Sequence, residues 1–212
     1  MALIELVNVS KSFKNNPIFT DISIRFEKGH IYGITGNNGS GKSVLFKMIC
    51  GFIPTDEGHI IINSDYLEQK TKFPKNFGII IDRPGYNASK TGFDNLKALA
   101  IIQNLISDEE IKNAMKIVGL DSDNKQKVKH YSLGMKQKLS LAQAIMENQE
   151  VLILDEPFNA LDSESVENIR KLLLDYKNKG KTIFLTSHNQ EDIDLLCDQV
   201  LTIDKHKLLK VE

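Results

Sequence analysis

The sequence predicts an α/β fold, in which a core of buried strands follows an N-terminal antiparallel β-subdomain and is interrupted by a helical insertion. Three observations lead there. A glycine-rich loop, Gly36-Asn37-Asn38-Gly39-Ser40-Gly41-Lys42-Ser43, lies between a short apolar run, Ile31-Tyr32-Gly33-Ile34, and a breaker-free stretch over residues 44–50 that Gly51 can stop. Far downstream, Val151-Leu152-Ile153-Leu154 is apolar without alternation, as in a strand buried on both faces, and runs into Asp155-Glu156. Between the two, residues 83–147 lose strand character and turn helical.

Taken in order, residues 3–9 are rich in β-formers, and Ile22, Ile24 and Phe26 alternate with polar residues, the period of a strand with one buried face. A turn over residues 27–30 leads into the loop strand. Pro54, Asp56 and Gly58 break the chain before a short strand over 59–63, and residues 70–76, basic and containing Pro74, suit an exposed loop. Residues 77–82 form an apolar strand ending in Asp82, and 83–92 read as a loop. Helical patterns cover 93–106 and 107–118, the second with Asp108, Glu109 and Glu110 where anions favour a helix N-terminus. A charged linker, 121–129, precedes another helix that opens at Tyr131-Ser132-Leu133-Gly134-Met135-Lys136-Gln137. After the buried strand, Val166, Ile169, Leu172, Leu173 and Tyr176 make one helical stripe. A strand over 182–185, a helix over 192–197 and a hairpin about Lys205-His206 complete the chain. The expected division is one domain over 1–212, with 1–82 and 148–212 as core and β-subdomain and 83–147 as helical subdomain.

The 212 residues, 41% hydrophobic and 26% charged, suffice for a sizeable core. A net charge of −1 provides no global basic field for nucleic acid or an anionic membrane. Cys50 and Cys197 form no metal or redox motif and sit in apolar surroundings, as buried thiols of a cytosolic protein. The N-terminus reads as no secretory signal, and no apolar run approaches the ~18 residues of a membrane span.

The chemistry follows from residue type. Glycines let a backbone turn tightly and bring its N–H groups against phosphate oxygens, and a helix N-terminus adds unpaired donors with a partial positive charge. Lys42 can reach β- and γ-phosphates as a point charge, and the Ser43 hydroxyl can ligate Mg²⁺. Asp155, at the end of a core strand, would hold Mg²⁺ from the other side, and Glu156 would activate the attacking water. Ser132 can cap its helix, with Gly134 permitting close backbone approach; this is a second anion site or simply a capped helix. His188, at the end of a core strand, is either structural or a donor to a γ-phosphate. Phe13 is either a stacking face for adenine or a core phenylalanine.

Together these residues resemble the nucleotide-binding subunits of ATP-binding cassette (ABC) transporters, over essentially the whole chain. Gly36 to Ser43 matches their Walker A loop, and Val151 to Glu156 their Walker B strand with its catalytic glutamate. Asn159-Ala160-Leu161-Asp162 looks like the D-loop and His188 like the switch histidine. Tyr131 to Gln137 stands where the family has Leu-Ser-Gly-Gly-Gln, keeping Ser132 and Gly134. Phe13 takes the adenine-stacking place. The resemblance implies a phosphate-loop NTPase of RecA-like core that uses ATP and Mg²⁺, a homodimer closing on ATP with the signature of one copy facing the phosphate loop of the other, and a separately encoded transmembrane subunit. It implies no nucleic-acid partner, and a cytoplasmic, peripheral location on the inner face of the cell membrane.

Two departures stand out. The family's Q-loop glutamine, which touches Mg²⁺ and the attacking water, falls on Asp82, and the usual threonine after Ser43 is Val44, which removes a hydroxyl near the α-phosphate. An acidic residue in the Q-loop place, together with Ser-Leu-Gly-Met-Lys-Gln, is similar to ATPase subunits of bacterial ABC-2-type exporters of the bacitracin and lantibiotic resistance kind. A soluble ABC ATPase without transport, such as the iron–sulfur cluster assembly type, is the competing expectation. A phosphate-loop kinase fits less well, since it would not need Ser132, Leu133, Gly134 and His188 in this order.

Overall fold

The protein is described by a computed structural model over residues 2–71, 73–82 and 85–211. Among these residues, two sheets enclose one α-helix, and five more α-helices cover the far face of the larger sheet.

The N-terminal sheet has β1 (Ala2–Phe13) between β2 (Asn16–Glu27) and β4 (Glu57–Ile62), all antiparallel. Both long strands exceed the expected segments. Bulges are the reason: the β1–β2 register shifts repeatedly, and Asn8 and Asp21, both at positive φ, join through an Asn8 Nδ2 bond to Asp21 Oδ1 of 2.8 Å. Each bulge resets the two-residue period, so alternation is lost although pairing continues.

The larger sheet has the order β5-β6-β7-β3-β8-β9, with β3 (Ile31–Thr35), β5 (Phe77–Ile80), β6 (Val151–Leu154), β7 (Thr182–Leu185), β8 (Gln199–Asp204) and β9 (Lys207–Val211). All neighbours pair in parallel except the β8–β9 hairpin at the edge. Its turn residues, Lys205 and His206, both have positive φ, as a tight two-residue hairpin turn requires. Both faces of the sheet are buried. Leu152 and Leu154 of β6 enter one core, Val151 and Ile153 the other; this explains the absence of alternation.

The helix α1 (Lys42–Ile49) lies between the sheets, with Leu45, Phe46, Met48 and Ile49 buried among side chains of β1 and β3. Phe26 meets both Tyr32 and Phe184 edge-on at centroid distances of 4.9 Å, tying β2 to the large sheet. On the opposite face lie α2 (Gly92–Gln103), α3 (Asp108–Ile117), α4 (Leu133–Ile145), α5 (Ser163–Asn178) and α6 (Gln190–Leu196). Capping boxes, Thr91 with Asp94 and Ser107 with Glu110, begin α2 and α3.

Some boundaries differ from the sequence reading. Gly92 is the first residue of α2 rather than the end of a loop, because the Thr91 cap starts the helix before it, and Asn104 in the left-handed region ends α2 at Gln103, short of 106. The strand expected over 77–82 stops at Ile80, with Asp82 beyond it at φ 58°. Of the loops expected over 70–76 and 83–92, Lys72, Arg83 and Pro84 lie outside the described residues, as do Met1 and Glu212 of the expected 1–212 domain. The helical insertion is not packed apart from the core. A Cβ at Gly78 of β5 would stand 1.9 Å from the Ala144 carbonyl oxygen of α4, so that helix lies directly on the sheet, and one apolar cluster runs from α2 and α3 through α4 to β6 and β7.

Candidate functional site

The loop between β3 and α1 is an arch held by its glycines. Gly36, Gly39 and Gly41 have φ of 140°, 78° and 112°, a region costly for other residues. Space is equally restrictive: a Cβ on Gly36 would meet Ser40 Oγ at 2.8 Å, and one on Gly41 would meet Ile18 Cγ2 at 2.6 Å. Among the described α-helices, α1 alone has no side-chain cap, and the first N–H groups of an uncapped helix are left to an anion or water. Lys42 Nζ folds back onto the Gly36 and Asn37 carbonyls at 2.8 and 3.3 Å. Ser40 Oγ is buried without a partner.

Asp155 and Glu156 leave the C-terminal end of β6 facing this arch. Ser43 Oγ donates to Asp155 Oδ2, and Thr186 Oγ1 donates to Asp155 Oδ1 at 2.8 Å. The same Thr186 oxygen accepts the Glu156 N–H at 2.8 Å. Thr186, fully buried just beyond β7, thus ties the Asp155 carboxylate to the Glu156 main chain; the sequence reading missed it, and its only signal was a hydroxyl directly before Ser187-His188. Gln137 of α4 donates to the Glu156 and Pro157 carbonyls at 3.2 and 2.9 Å. Glu156 itself has φ 54°, a conformation held by these contacts. Burial pushes its carboxyl above the ordinary glutamate range and the nearby Asp155 adds to this, while a charged His188 opposes it. Glu156 Oε1 has no hydrogen-bond partner, and His188 Nε2 lies 3.2 Å from it.

Lys42, Ser43, Val44, Asp155, Glu156 and His188 line one cavity of about 340 Å³, walled by Ile18 and the loop residues Asn38, Gly39 and Gly41. Asn37, Asn38, Gly39 and Ser40 border a second cavity beyond the arch. The residues present fit Mg²⁺: this ion takes one or two protein ligands and completes its shell with phosphates and water, and Ser43 and Asp155 already converge.

Other candidate residues lie elsewhere. Asp82 does not line that cavity. Its side chain is 62% exposed and pairs with Lys47 Nζ at 2.7 Å, while bordering another cleft of about 490 Å³ that Asp155 and Glu156 also line. Phe13 is 45% exposed, with Lys11 Nζ 5.3 Å from its ring centroid, so it is not a core phenylalanine. Ser132 Oγ caps α4, accepting the Met135 N–H at 3.1 Å. Gly134 abuts the Ala160 carbonyl, which a Cβ would meet at 2.6 Å. Neither Ser132 nor Gly134 borders the phosphate-loop cavity of its own chain.

Comparison with known proteins adds a family. The family profile described as ABC transporter matches residues 19–159. The chain is 42% identical over 206 residues to the uncharacterized ABC transporter ATP-binding protein YybJ of Bacillus subtilis, covering 97% of this chain and 94% of that relative. It is 36% identical over 201 residues to the bacitracin transport ATP-binding protein BcrA of Enterococcus faecalis, covering 93% of this chain and 65% of that one. Among solved structures, a dimeric ATP-binding cassette in a post-hydrolysis state with ADP and Pi superposes with a TM-score of 0.85 at 20% identity, over 97% of this chain and 96% of that chain.

Proposed function

This chain belongs to the ABC transporter family, and on that premise we propose that it binds and hydrolyses ATP as a two-copy sandwich, driving export through a separately encoded membrane subunit. One observation carries the reading: Ser43 is bonded to Asp155 while Glu156 presents a carboxylate oxygen that accepts no hydrogen bond beside the same cavity. Lys42, the α1 N-terminus and the glycine arch hold the β- and γ-phosphates, Lys42 exchanging its two carbonyl partners for phosphate oxygens. Ser43 and Asp155 would hold Mg²⁺, which supplies neutralisation of phosphate charge. Glu156 takes the proton of the attacking water, and His188 donates to the γ-phosphate. The exposed ring of Phe13 stacks on adenine, and Asp82, on leaving Lys47, would take part in holding the metal.

Ser132 and Gly134 act on the nucleotide of a second copy. Their distance from their own chain's cavity supports this, as does the dimeric state of the similar cassette. A membrane partner is supported by a groove lined in part by Phe52, Leu99 and Ile102, beside exposed Ile101 and Leu105; such an apolar patch marks an interaction surface. Among the described residues no helix is long and apolar enough to cross a membrane. The protein would sit on the inner face of the membrane, and a peptide antibiotic or another drug is the cargo class suggested by the bacitracin transport relative.

The test is concentration dependence. Hydrolysis per chain rises with protein concentration in the wild type, and Ser132→Arg abolishes it while leaving ATP binding by the monomer intact. A rate per chain independent of concentration rejects the sandwich. Failure to co-purify with a polytopic membrane protein would favour a non-transport ATPase instead.

A further inference from the structure

The loop that carries His188 is braced from behind by a buried charge network. Asp192, in the first turn of α6, is only 2% exposed. Its Oδ1 accepts from Arg170 of α5 twice, from Nε at 2.9 Å and Nη2 at 2.6 Å. Its Oδ2 accepts from Ser187 Oγ. The same hydroxyl accepts the Asn189 N–H at 3.1 Å, and the Asn189 side chain caps α6 through the Glu191 N–H at 3.0 Å. Residues 187 and 189 are therefore both fastened to α6, and His188 between them is the one side chain projecting from the clasp toward Glu156. The guanidinium is anchored in turn: Arg170 is 6% exposed and also reaches Glu167 at 2.7 Å and Glu191 at 2.9 Å.

A buried carboxylate is costly unless paired and hydrogen-bonded. Here the pairing with Arg170 uses one oxygen and leaves the other for a single hydroxyl. We propose that Asp192, acting through Ser187, is a positioning element for His188. Arg170 neutralises Asp192, Asp192 fixes the Ser187 hydroxyl, and the hydroxyl fixes the backbone that aims the imidazole at the γ-phosphate. This rests on the reading of His188 as a γ-phosphate donor. Displacing a reacting group by about 1 Å can cost 10²-fold in rate, so the geometry of this loop governs kcat more than nucleotide affinity.

Ser187 is the residue to change, because truncating Asp192 would take from Arg170 its buried partner and disturb the packing of α5 on α6 as well. Purified chains carrying Ser187→Ala, Ser187→Thr, His188→Ala and Ser187→Ala with His188→Ala are assayed for ATP hydrolysis, with thermal midpoints as a folding control. Ser187→Ala should lower kcat about tenfold, within the range that misplacement allows, with KM for ATP within about twofold. Ser187→Thr, which keeps the hydroxyl, should restore the rate. In the His188→Ala background, Ser187→Ala should bring no further loss, since two changes acting through one group are non-additive. If Ser187→Ala hydrolyses like wild type while His188→Ala is impaired, the positioning role is wrong and the His188 reading stands. If Ser187→Ala lowers the rate by the same factor in both backgrounds, the hydroxyl does not act through His188. Wild-type rates in His188→Ala overturn the His188 reading itself.

Discussion

Lys47 Nζ lies 2.7 Å from Asp82 Oδ2, joining the last turn of α1 to the chain just beyond β5. The helix that opens at the glycine arch thus holds Asp82 at its other end. An exposed pair of this kind contributes about 0.2–1 kcal/mol, little enough to break when a better partner for Asp82 is presented. Asp82→Ala is therefore expected to keep thermal stability and ATP affinity near wild type, yet to reduce hydrolysis in a way that depends on free Mg²⁺. ATPase rates measured across a Mg²⁺ titration check this; superimposable curves would make Asp82 only the solvated partner of Lys47.

Lys42 holds two carbonyls of its own loop and, among the described residues, is the lysine lining the cavity shared with Ser43 and Asp155. Hydrogen bonds to charged groups contribute about 1.5–3 kcal/mol each. Lys42→Ala should weaken ATP binding at least tenfold by calorimetric titration, and unchanged affinity would remove the arch as the phosphate site.

Glu156→Gln should retain ATP and slow hydrolysis by about 10²–10⁴-fold, the weight of a general base. The proton balance also sets a pH profile. Burial raises the Glu156 carboxyl, and a base works only when ionised, so activity falls as pH drops through a value above the ordinary glutamate range. The acid limb of kcat against pH should be steep there in the wild type and absent from the residual activity of Glu156→Gln. An acid limb common to both proteins assigns it to another group.

Gly78→Ala tests the seat of the helical insertion. The added methyl would meet the Ala144 backbone oxygen at 1.9 Å, and neither main chain can yield without shifting α4 along the sheet. Overpacking costs about 1–3 kcal/mol and occasionally more, so the denaturation midpoint should drop by several degrees. An unchanged midpoint would mean that α4 sits farther from β5.

The local chemistry of this protein was readable without coordinates. Gly36 to Ser43 declares an arch because only glycine takes those φ values cheaply, and Ser107 with Glu110 declares a helix start because the cap is written within four residues. Val151 to Leu154 declares a doubly buried strand because both faces need apolar groups. The lengths of β1 and β2 were not readable, since bulges erase the period that marks a strand. Nor was the role of Thr186, whose hydroxyl meets residues thirty positions away, nor the bonds from Asp192 to Arg170 and from Lys47 to Asp82. Each joins side chains carried by separate elements, and a spacing along the chain has meaning only inside one helix or strand. Sequence determined which groups could do the chemistry; the order of strands in the sheet decided which of them meet, because that order sets which strand ends lie side by side.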